Sequence, residues 1–250
     1  MSDWPDLDRM DPELVRRYDQ RGPRYTSYPT APHFSKGFDS EALLGRIRGT
    51  SAGAAPPALS IYLHVPYCPQ KCLYCGCHSV AIGCPEEPAS YAEALKQELE
   101  LWLGLLGPGR RQAQLAFGGG SPSTLGAEAL QGLVAALDRA FPPEPGAERS
   151  LELDPGRVDE TYLGVLLDLG FTRLSFGIQD FEPEVLKKVG RREDPATVSR
   201  HLGYLRSRGF DAVSFDLMLG LPSQSVETLR GTLEKVVSLR PSRLALFPYA

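Results

Sequence analysis

The stretch Tyr62-Leu-His-Val-Pro-Tyr-Cys-Pro-Gln-Lys-Cys-Leu-Tyr-Cys-Gly-Cys77 joins a short apolar run to a cluster of thiols. Cysteine steps of three and four residues enclose little chain entropy, so disulfides would stabilise little here. Structural zinc usually takes two ligand pairs held a dozen or more residues apart, and it remains the less favoured alternative. The spacing instead favours an iron–sulfur cluster held by one loop, with three thiolates from Cys68, Cys72 and Cys75.

The number of cysteine ligands decides what such a cluster does. Three protein ligands leave a fourth iron open to a small molecule. The thiol of Cys77 is a second candidate for that corner. A cluster closed by Cys77 would only carry electrons, so the spacing leaves an open-iron enzyme and a plain electron carrier as alternatives.

Six apolar runs alternate with helical segments beyond this loop. The predicted strands are Leu59–Val65, Gln114–Phe117, Ser150–Leu153, Arg173–Gly177, Ala212–Leu217 and Arg243–Phe247. Helical stripes are predicted between them, on Leu130, Leu133, Val134, Leu137 and Phe141, and on Val226, Leu229, Leu233, Val236 and Val237. Strands separated by so many residues need crossover connections, which predict a parallel sheet in an α/β fold.

Polar or glycine residues stand at the carboxyl end of every predicted strand. They are His64, Gly118–Gly120, Glu152 with Asp154, Gln179 with Asp180, Asp216, and Tyr249. In a doubly wound sheet mainly the strands at the switch point would carry such residues, whereas all strands of a barrel end at one mouth. Polar turn residues are common at single strand ends, but six together favour a partial, six-stranded (β/α) barrel.

Composition limits the function classes. The 250 residues include 42% hydrophobic and 23% charged residues, which is typical of a globular protein, and the net charge of -4 argues against a nucleic-acid surface. The sequence has no apolar run long enough to span a membrane and no signal peptide, so we expect a cytoplasmic protein. We also expect it to be a monomer. Residues 1–57 are expected to form an irregular or helical arm with a linker over Ser51–Pro57, and residues 58–250 the barrel.

The cysteine loop resembles that of the radical S-adenosylmethionine (SAM) enzymes, whose CxxxCxxC motif carries an aromatic residue before the third cysteine, here Tyr74. The resemblance implies a [4Fe-4S] cluster on three cysteines, an open iron that binds SAM, and a six-stranded partial barrel. It also implies that the glycine turn Gly118–Gly120 contacts the methionine part of SAM.

Further segments resemble one branch of these enzymes, the oxygen-independent coproporphyrinogen III oxidases. They run in order through nearly the whole chain: Gly22–Ala31, Tyr62–Cys68, Cys75–Cys77, Gly118–Pro122, Leu151–Pro155, Arg173–Phe181, Asp216–Pro222 and Phe247–Ala250. This resemblance implies oxidative decarboxylation of coproporphyrinogen III to protoporphyrinogen IX, in haem biosynthesis, through a 5′-deoxyadenosyl radical made from SAM. Haem-trafficking proteins with the same barrel are an alternative. Cys77 and the segment Arg24–Ala31 argue against it, because those relatives differ at both places.

Site roles follow from the same resemblance, with two SAM molecules in one site. The first SAM would contact Tyr62, Gly119 and Glu152. The second would contact Tyr74, Gly120, Ser121, Gln179, Arg191, Asp216 and Ala250. Tyr74 and Ser121 stand where the family often has Phe and Thr, which keeps an aromatic face and a hydroxyl.

The resemblance also implies partners and a missing part. An electron donor such as a flavodoxin or ferredoxin would reduce the cluster, and the substrate would be a porphyrinogen. The family continues beyond the position of Ala250 into a C-terminal helical domain that covers the site. We therefore expect these residues to be an N-terminal fragment without that lid, and of doubtful activity alone.

Overall fold

The computed structural model describes residues 11–19, 31–34, 37–51 and 56–249. The chain divides into two compact units, Met1–Gly45 and Arg46–Ala250. Its helices are α1 (Pro12–Tyr18), α2 (Ser40–Ser51), α3 (Glu87–Leu106), α4 (Gly126–Ala140), α5 (Glu160–Asp168), α6 (Pro183–Lys188), α7 (Pro195–Ser207) and α8 (Val226–Leu239). Its strands are β1 (Leu59–Val65), β2 (Tyr67–Cys68), β3 (Val80–Ala81), β4 (Gln112–Gly119), β5 (Pro143–Leu153), β6 (Arg173–Gln179), β7 (Val213–Leu219) and β8 (Arg243–Pro248).

The N-terminal region is helical where the structure describes it. Before Leu59, the described residues contain α1, a single 3-10 turn over Ala31–His33 and α2, with no strand. Ser51, expected to open the linker, is instead the last residue of α2. The segment Arg24–Thr30 lies outside the described residues.

The main sheet has six parallel strands in the order β1-β4-β5-β6-β7-β8. The order follows the chain without the reversal that marks a doubly wound sheet, which confirms the barrel-type arrangement. Within the described part of the chain β1 and β8 are the two edges, so the barrel is partial. All six predicted strands are confirmed. Most are longer than predicted, because backbone pairing with neighbouring strands continues beyond the apolar runs, as at Gln112 of β4 and Pro143 of β5.

The two faces of this sheet differ in chemistry. On β6, Leu174, Phe176 and Ile178 are fully buried, while the residues between them are only partly buried. β7 is buried at most of its positions, and its Phe215 stacks on Phe176 at 6.1 Å between ring centroids. These side chains form the core with the helices. The opposite face carries small or polar residues, among them Tyr62, Gly118, Glu152, Ser175 and Asp216.

The helices pack side by side in chain order, α3 on α4, α4 on α5, α5 on α7, and α7 on α8. The predicted stripe of α4 is confirmed, with Leu130, Leu133, Val134 and Leu137 buried. The stripe predicted for α8 is only partly buried, because α8 turns Thr232 and Val236 inward and leaves Val226 and Val237 exposed. No helix in the described ranges has the length and apolar character needed to cross a membrane.

Candidate active site

The cysteine loop is closed by a small sheet that the sequence did not predict. Strands β2 and β3 pair in parallel, and the Ile82 N–H donates to the Cys68 carbonyl at 2.9 Å. The Val80 N–H donates to the Pro66 carbonyl at 2.8 Å. Strands of two residues are too short to show a periodic pattern, so they cannot be predicted from sequence periodicity. The loop follows β1 directly, so its thiols lie beyond the carboxyl end of that strand.

The three predicted cluster ligands lie close to one another. The Cys75 N–H donates to the Cys72 carbonyl at 3.1 Å, which turns both side chains within one tight loop. The Cys75 Sγ lies 3.7 Å from the Ser79 hydroxyl. Burial raises the pKa of Cys68, and the neighbouring thiols of Cys75 and Cys72 raise it further. The three thiols therefore belong to one loop, in which Cys72 and Cys75 both act on Cys68.

The donor set of the cysteine loop consists of thiols, which are the ligands of iron–sulfur clusters. All five cysteines are free thiols. Among the described residues, no three Cys, His, Asp or Glu side chains converge as ligands of one metal ion. A cubane binds each cysteine through a different iron, so its ligands need not meet at one point. Cys77 lies beside the set, since burial and then Cys75 raise the pKa of Cys77 to about 11.

The glycine turn packs against the end of β1 and leaves no room for side chains. A Cβ on Gly120 would lie 2.6 Å from the Pro66 carbonyl oxygen, and one on Gly119 would lie 2.6 Å from Cε1 of His64. Gly119 also has a φ of 115°, which other residues rarely adopt. Its N–H donates to Oε2 of Glu152 at 3.2 Å. The turn therefore presents backbone, not side chains, at the end of β4.

We expect Gly120→Ala to destabilise the chain by about 1–3 kcal/mol, because the new methyl group overlaps backbone that cannot move aside like a side chain. Gly203→Ala is the matched control, since Gly203 lies inside α7 with open space around its Cβ position. That control should raise stability by up to about 1 kcal/mol through helix propensity. Urea unfolding measures both changes, and an equal effect of the two substitutions would contradict the packing argument.

Polar side chains from four strands converge beside the glycine turn. A Cβ on Gly118 would lie 2.9 Å from Oε2 of Glu152 and 3.0 Å from the Tyr62 hydroxyl, so both side chains reach over this glycine. Loss of hydration raises the pKa of Glu152, and the nearby Asp216 carboxylate raises it further. The hydrogen bond from the Gly119 N–H lowers this pKa but does not cancel the rise. Ser175 donates to Asp216 at 3.0 Å. The structure thus brings together the predicted Tyr62, Glu152 and Asp216.

His64 contacts both the polar side chains beside the glycine turn and the cysteine loop. Its Nδ1 lies 3.1 Å from the Tyr62 hydroxyl, and its Nε2 lies 2.7 Å from the His78 carbonyl in the cysteine loop. The Tyr91 hydroxyl donates to the His64 carbonyl at 2.8 Å. His64 therefore connects β1 to both the cysteine loop and the glycine turn.

The other residues predicted to contact the second SAM belong to different elements of the chain. Tyr74 packs against Val185, Val189, Met218 and Leu221, and burial raises its pKa. Gln179 ends β6 in the left-handed region with φ 68°. Ser121 is buried, with its hydroxyl 3.1 Å from that of Ser123. Ala250 lies outside the described residues.

Arg191 reaches the cysteine loop from the segment between α6 and α7. Its Nη1–H donates to Cys72 Sγ at 3.6 Å, and its Nη2–H donates to the Gly177 carbonyl at 2.6 Å. Two carboxylates pair with it, those of Glu193 and Asp154. The sequence analysis did not single out Glu193. In sequence, a buried acidic residue two positions from a buried Arg looks the same as a group of charged residues exposed to solvent.

A profile of the Radical SAM superfamily matches residues 62–236, which is more than half of the chain. The chain belongs to the radical SAM superfamily. The matched range begins at Tyr62, covers the cysteine loop and the glycine turn, and ends within α8.

Several oxygen-independent coproporphyrinogen III oxidases are similar to this radical SAM chain. That of Paracoccus denitrificans is 38% identical over 95% of this chain and 52% of its own length, and that of Escherichia coli is 38% identical over 95% and 51%. The solved structure of the Escherichia coli coproporphyrinogen III oxidase, described as a radical SAM enzyme, has a TM-score of 0.85 over 95% of this chain and 52% of its own. The chain spans about half the length of these relatives.

A more distant structure shares the fold alone. The radical SAM methyltransferase TsrM from Kitasatospora setae, solved with cobalamin and a [4Fe-4S] cluster, is 15% identical and has a TM-score of 0.54 over 76% of this chain. The matched part of this chain covers 34% of the methyltransferase. The two chains therefore share a fold although few of their residues are identical.

Proposed function

We propose that this chain binds a [4Fe-4S] cluster through Cys68, Cys72 and Cys75 and binds SAM on the polar face of the sheet beside it. One observation carries the proposal: the three thiols lie at the same end of the sheet as the Gly119 amide and the Glu152 carboxylate. When reduced, such a cluster supplies the electron that cleaves SAM to methionine and a 5′-deoxyadenosyl radical. The protein supplies binding, orientation and exclusion of water.

The polar residues suit the two ends of SAM. The Glu152 carboxylate would pair with the ammonium group of the methionine part, and Tyr62 and the Gly119 amide would orient the same end. Asp216 would accept hydrogen bonds from ribose hydroxyls, as acidic residues do in nucleotide sites. A second SAM would use the residues that the resemblance assigns to it, namely Tyr74, Gly120, Ser121, Gln179, Arg191, Asp216 and Ala250.

For the substrate, we propose coproporphyrinogen III and its oxidative decarboxylation to protoporphyrinogen IX. Support comes from the similarity to coproporphyrinogen III oxidases over 95% of this chain, on which the choice of substrate rests. A flavodoxin or ferredoxin would deliver the electron, and we propose that the chain acts as a monomer in the cytoplasm.

The test is anaerobic reconstitution with iron and sulfide, followed by SAM and dithionite. We expect 5′-deoxyadenosine to form, and an intact cluster without SAM cleavage would overturn the enzyme proposal. Addition of coproporphyrinogen III should then give vinyl products. SAM cleavage without vinyl products, together with tight haem binding, would replace the oxidase by a haem-trafficking role.

We expect Glu152→Gln to weaken SAM binding about 10–100-fold, because a neutral amide loses the charge-assisted hydrogen bond to the ammonium group, worth about 1.5–3 kcal/mol. Glu148→Gln is the control, since Glu148 lies on the same strand and pairs with Arg173 far from the glycine turn. Equilibrium dialysis with labelled SAM measures both variants. Equal affinities would show that Glu152 does not contact SAM.

A further inference from the structure

Arg191 is a buried cation in direct contact with a thiol of the cysteine loop. Its side chain is 10% exposed. All three guanidinium nitrogens have protein partners: Nε donates to Glu193, Nη1 to Cys72 Sγ, and Nη2 to the Gly177 carbonyl. A guanidinium held on every side cannot swing away from the sulfur, so the contact with Cys72 is a fixed feature of the site.

The backbone around Arg191 is also held in place. The Arg191 N–H donates to the Leu186 carbonyl at 2.9 Å. The Leu73 N–H, next to Cys72, donates to the Val189 carbonyl at 3.1 Å. The same short segment thus holds both the donor nitrogen and the loop that carries the acceptor sulfur.

Two carboxylates balance the charge of Arg191. Glu193 Oε1 lies 2.6 Å from Nη2, and Asp154 Oδ1 lies 3.5 Å from it. Burial alone would lower the pKa of Arg191, but Asp154 and Glu193 outweigh it and raise that pKa. Burial raises the pKa of Glu193, while the charge of Arg191 and its hydrogen bond lower that pKa and favour the carboxylate. The Glu193 side chain is only 3% exposed, and its Oε2 has no hydrogen-bond partner among the residues that the structure describes. Solvent therefore screens these three charges poorly.

We propose that Arg191 sets the reduction potential of the cluster through its N–H···S contact with Cys72, and that Glu193 and Asp154 limit the effect of its charge. The inference rests on the proposed function, because Cys72 must be a cluster ligand. Hydrogen bonds to ligand sulfurs and nearby charge are the means by which proteins tune such potentials. A cation beside the thiolate favours the reduced, more negative cluster, so it raises the potential.

The positive charge of Arg191 and the negative charge of Glu193 act on the midpoint potential in opposite directions. Removal of each charge should therefore shift the potential with opposite sign. Arg191→Gln removes the charge and weakens the hydrogen bond, so the midpoint potential should shift to more negative values. Glu193→Gln leaves the contact with Cys72 in place and removes a negative charge from Arg191, so the potential should shift to more positive values. General damage to the loop would not give opposite signs from neighbouring residues.

The measurement is an EPR-monitored redox titration of the reconstituted 250-residue chain without SAM, with iron content recorded for each variant. Arg157→Gln is the matched control, because Arg157 also contacts Asp154 but is 42% exposed and does not contact a thiol. Its shift should be smaller than either of the others. If Arg191→Gln fails to fold, Glu193→Gln still tests the sign.

The outcomes separate the two proposals. A parent chain that binds no iron–sulfur cluster overturns the proposed function and this inference with it. A parent with its cluster, and variants whose potentials shift in one direction or by no more than that of Arg157→Gln, overturns the inference alone. Opposite shifts in the expected directions support it.

Discussion

Cys72→Ser is expected to abolish cluster assembly, with iron and sulfide content and the visible absorption band falling to near background after anaerobic reconstitution. Cys72 is the middle ligand of the proposed three, and a serine hydroxyl is a poor replacement for a thiolate at iron. SAM cleavage should fall to the uncatalysed level with it. The expected effect is a complete loss, because the chemistry that starts the reaction belongs to the cluster.

Two other cysteines provide controls for this experiment. Cys84 is exposed and follows β3, outside the three-residue and four-residue steps of the motif, so Cys84→Ser should retain a full cluster. Cys77→Ser should also retain it if the fourth iron is open to SAM. A loss of iron in Cys77→Ser equal to that in Cys72→Ser would show that Cys77 closes the cluster, and the electron-carrier alternative would then replace the enzyme.

Asp180→Ala is expected to destabilise the chain by about 3–5 kcal/mol, because it removes a fully buried acceptor that serves four donors. Its Oδ1 accepts from the N–H groups of Phe181 at 2.6 Å and Glu182 at 2.8 Å, and from the Thr232 hydroxyl. Its Oδ2 accepts from Gln224 Nε2 at 2.6 Å. This carboxylate joins the loop after β6 to the loop after β7 and to α8, so its removal leaves several buried groups without partners.

The matched control is Asp159→Ala. Asp159 caps α5 from an exposed position and accepts from the Tyr162 N–H at 2.8 Å. Loss of an N-cap typically costs about 1 kcal/mol. Urea unfolding compares the two variants, and a cost for Asp180→Ala no larger than that of the cap would contradict the network. Gln179, held at φ 68° next to Asp180, should lose its fixed position in the same variant.

Most of the fold could be read from the sequence because its strands are periodic. The alternation of Leu174, Phe176 and Ile178 with polar residues reflects burial on one face only, and burial is what a strand pattern records. The stripe of α8 was only partly correct, because Thr232 takes an inward position there to bond Asp180. A pattern of apolar residues cannot distinguish a threonine in a buried hydrogen-bond network from a threonine on the surface.

The site could be predicted in part. The glycine turn and the strand-end Glu152 were found because their positions relative to the strands mark them. Glu193 was not found, and Arg191 by itself looks like a solvated residue. The burial of both depends on contacts with Asp154 and Gly177, which lie far from them in sequence.

The sequence by itself determined the thiol loop, the six strands and their parallel order, because cysteine spacing and apolar periodicity are local properties of the chain. Only the tertiary structure decided which charges meet. It placed the Arg191 guanidinium on the Cys72 sulfur, 119 residues away in sequence, and buried Glu193 beside it. The strength of such contacts depends on exclusion of water by surrounding residues, and no single segment of the chain encodes that exclusion.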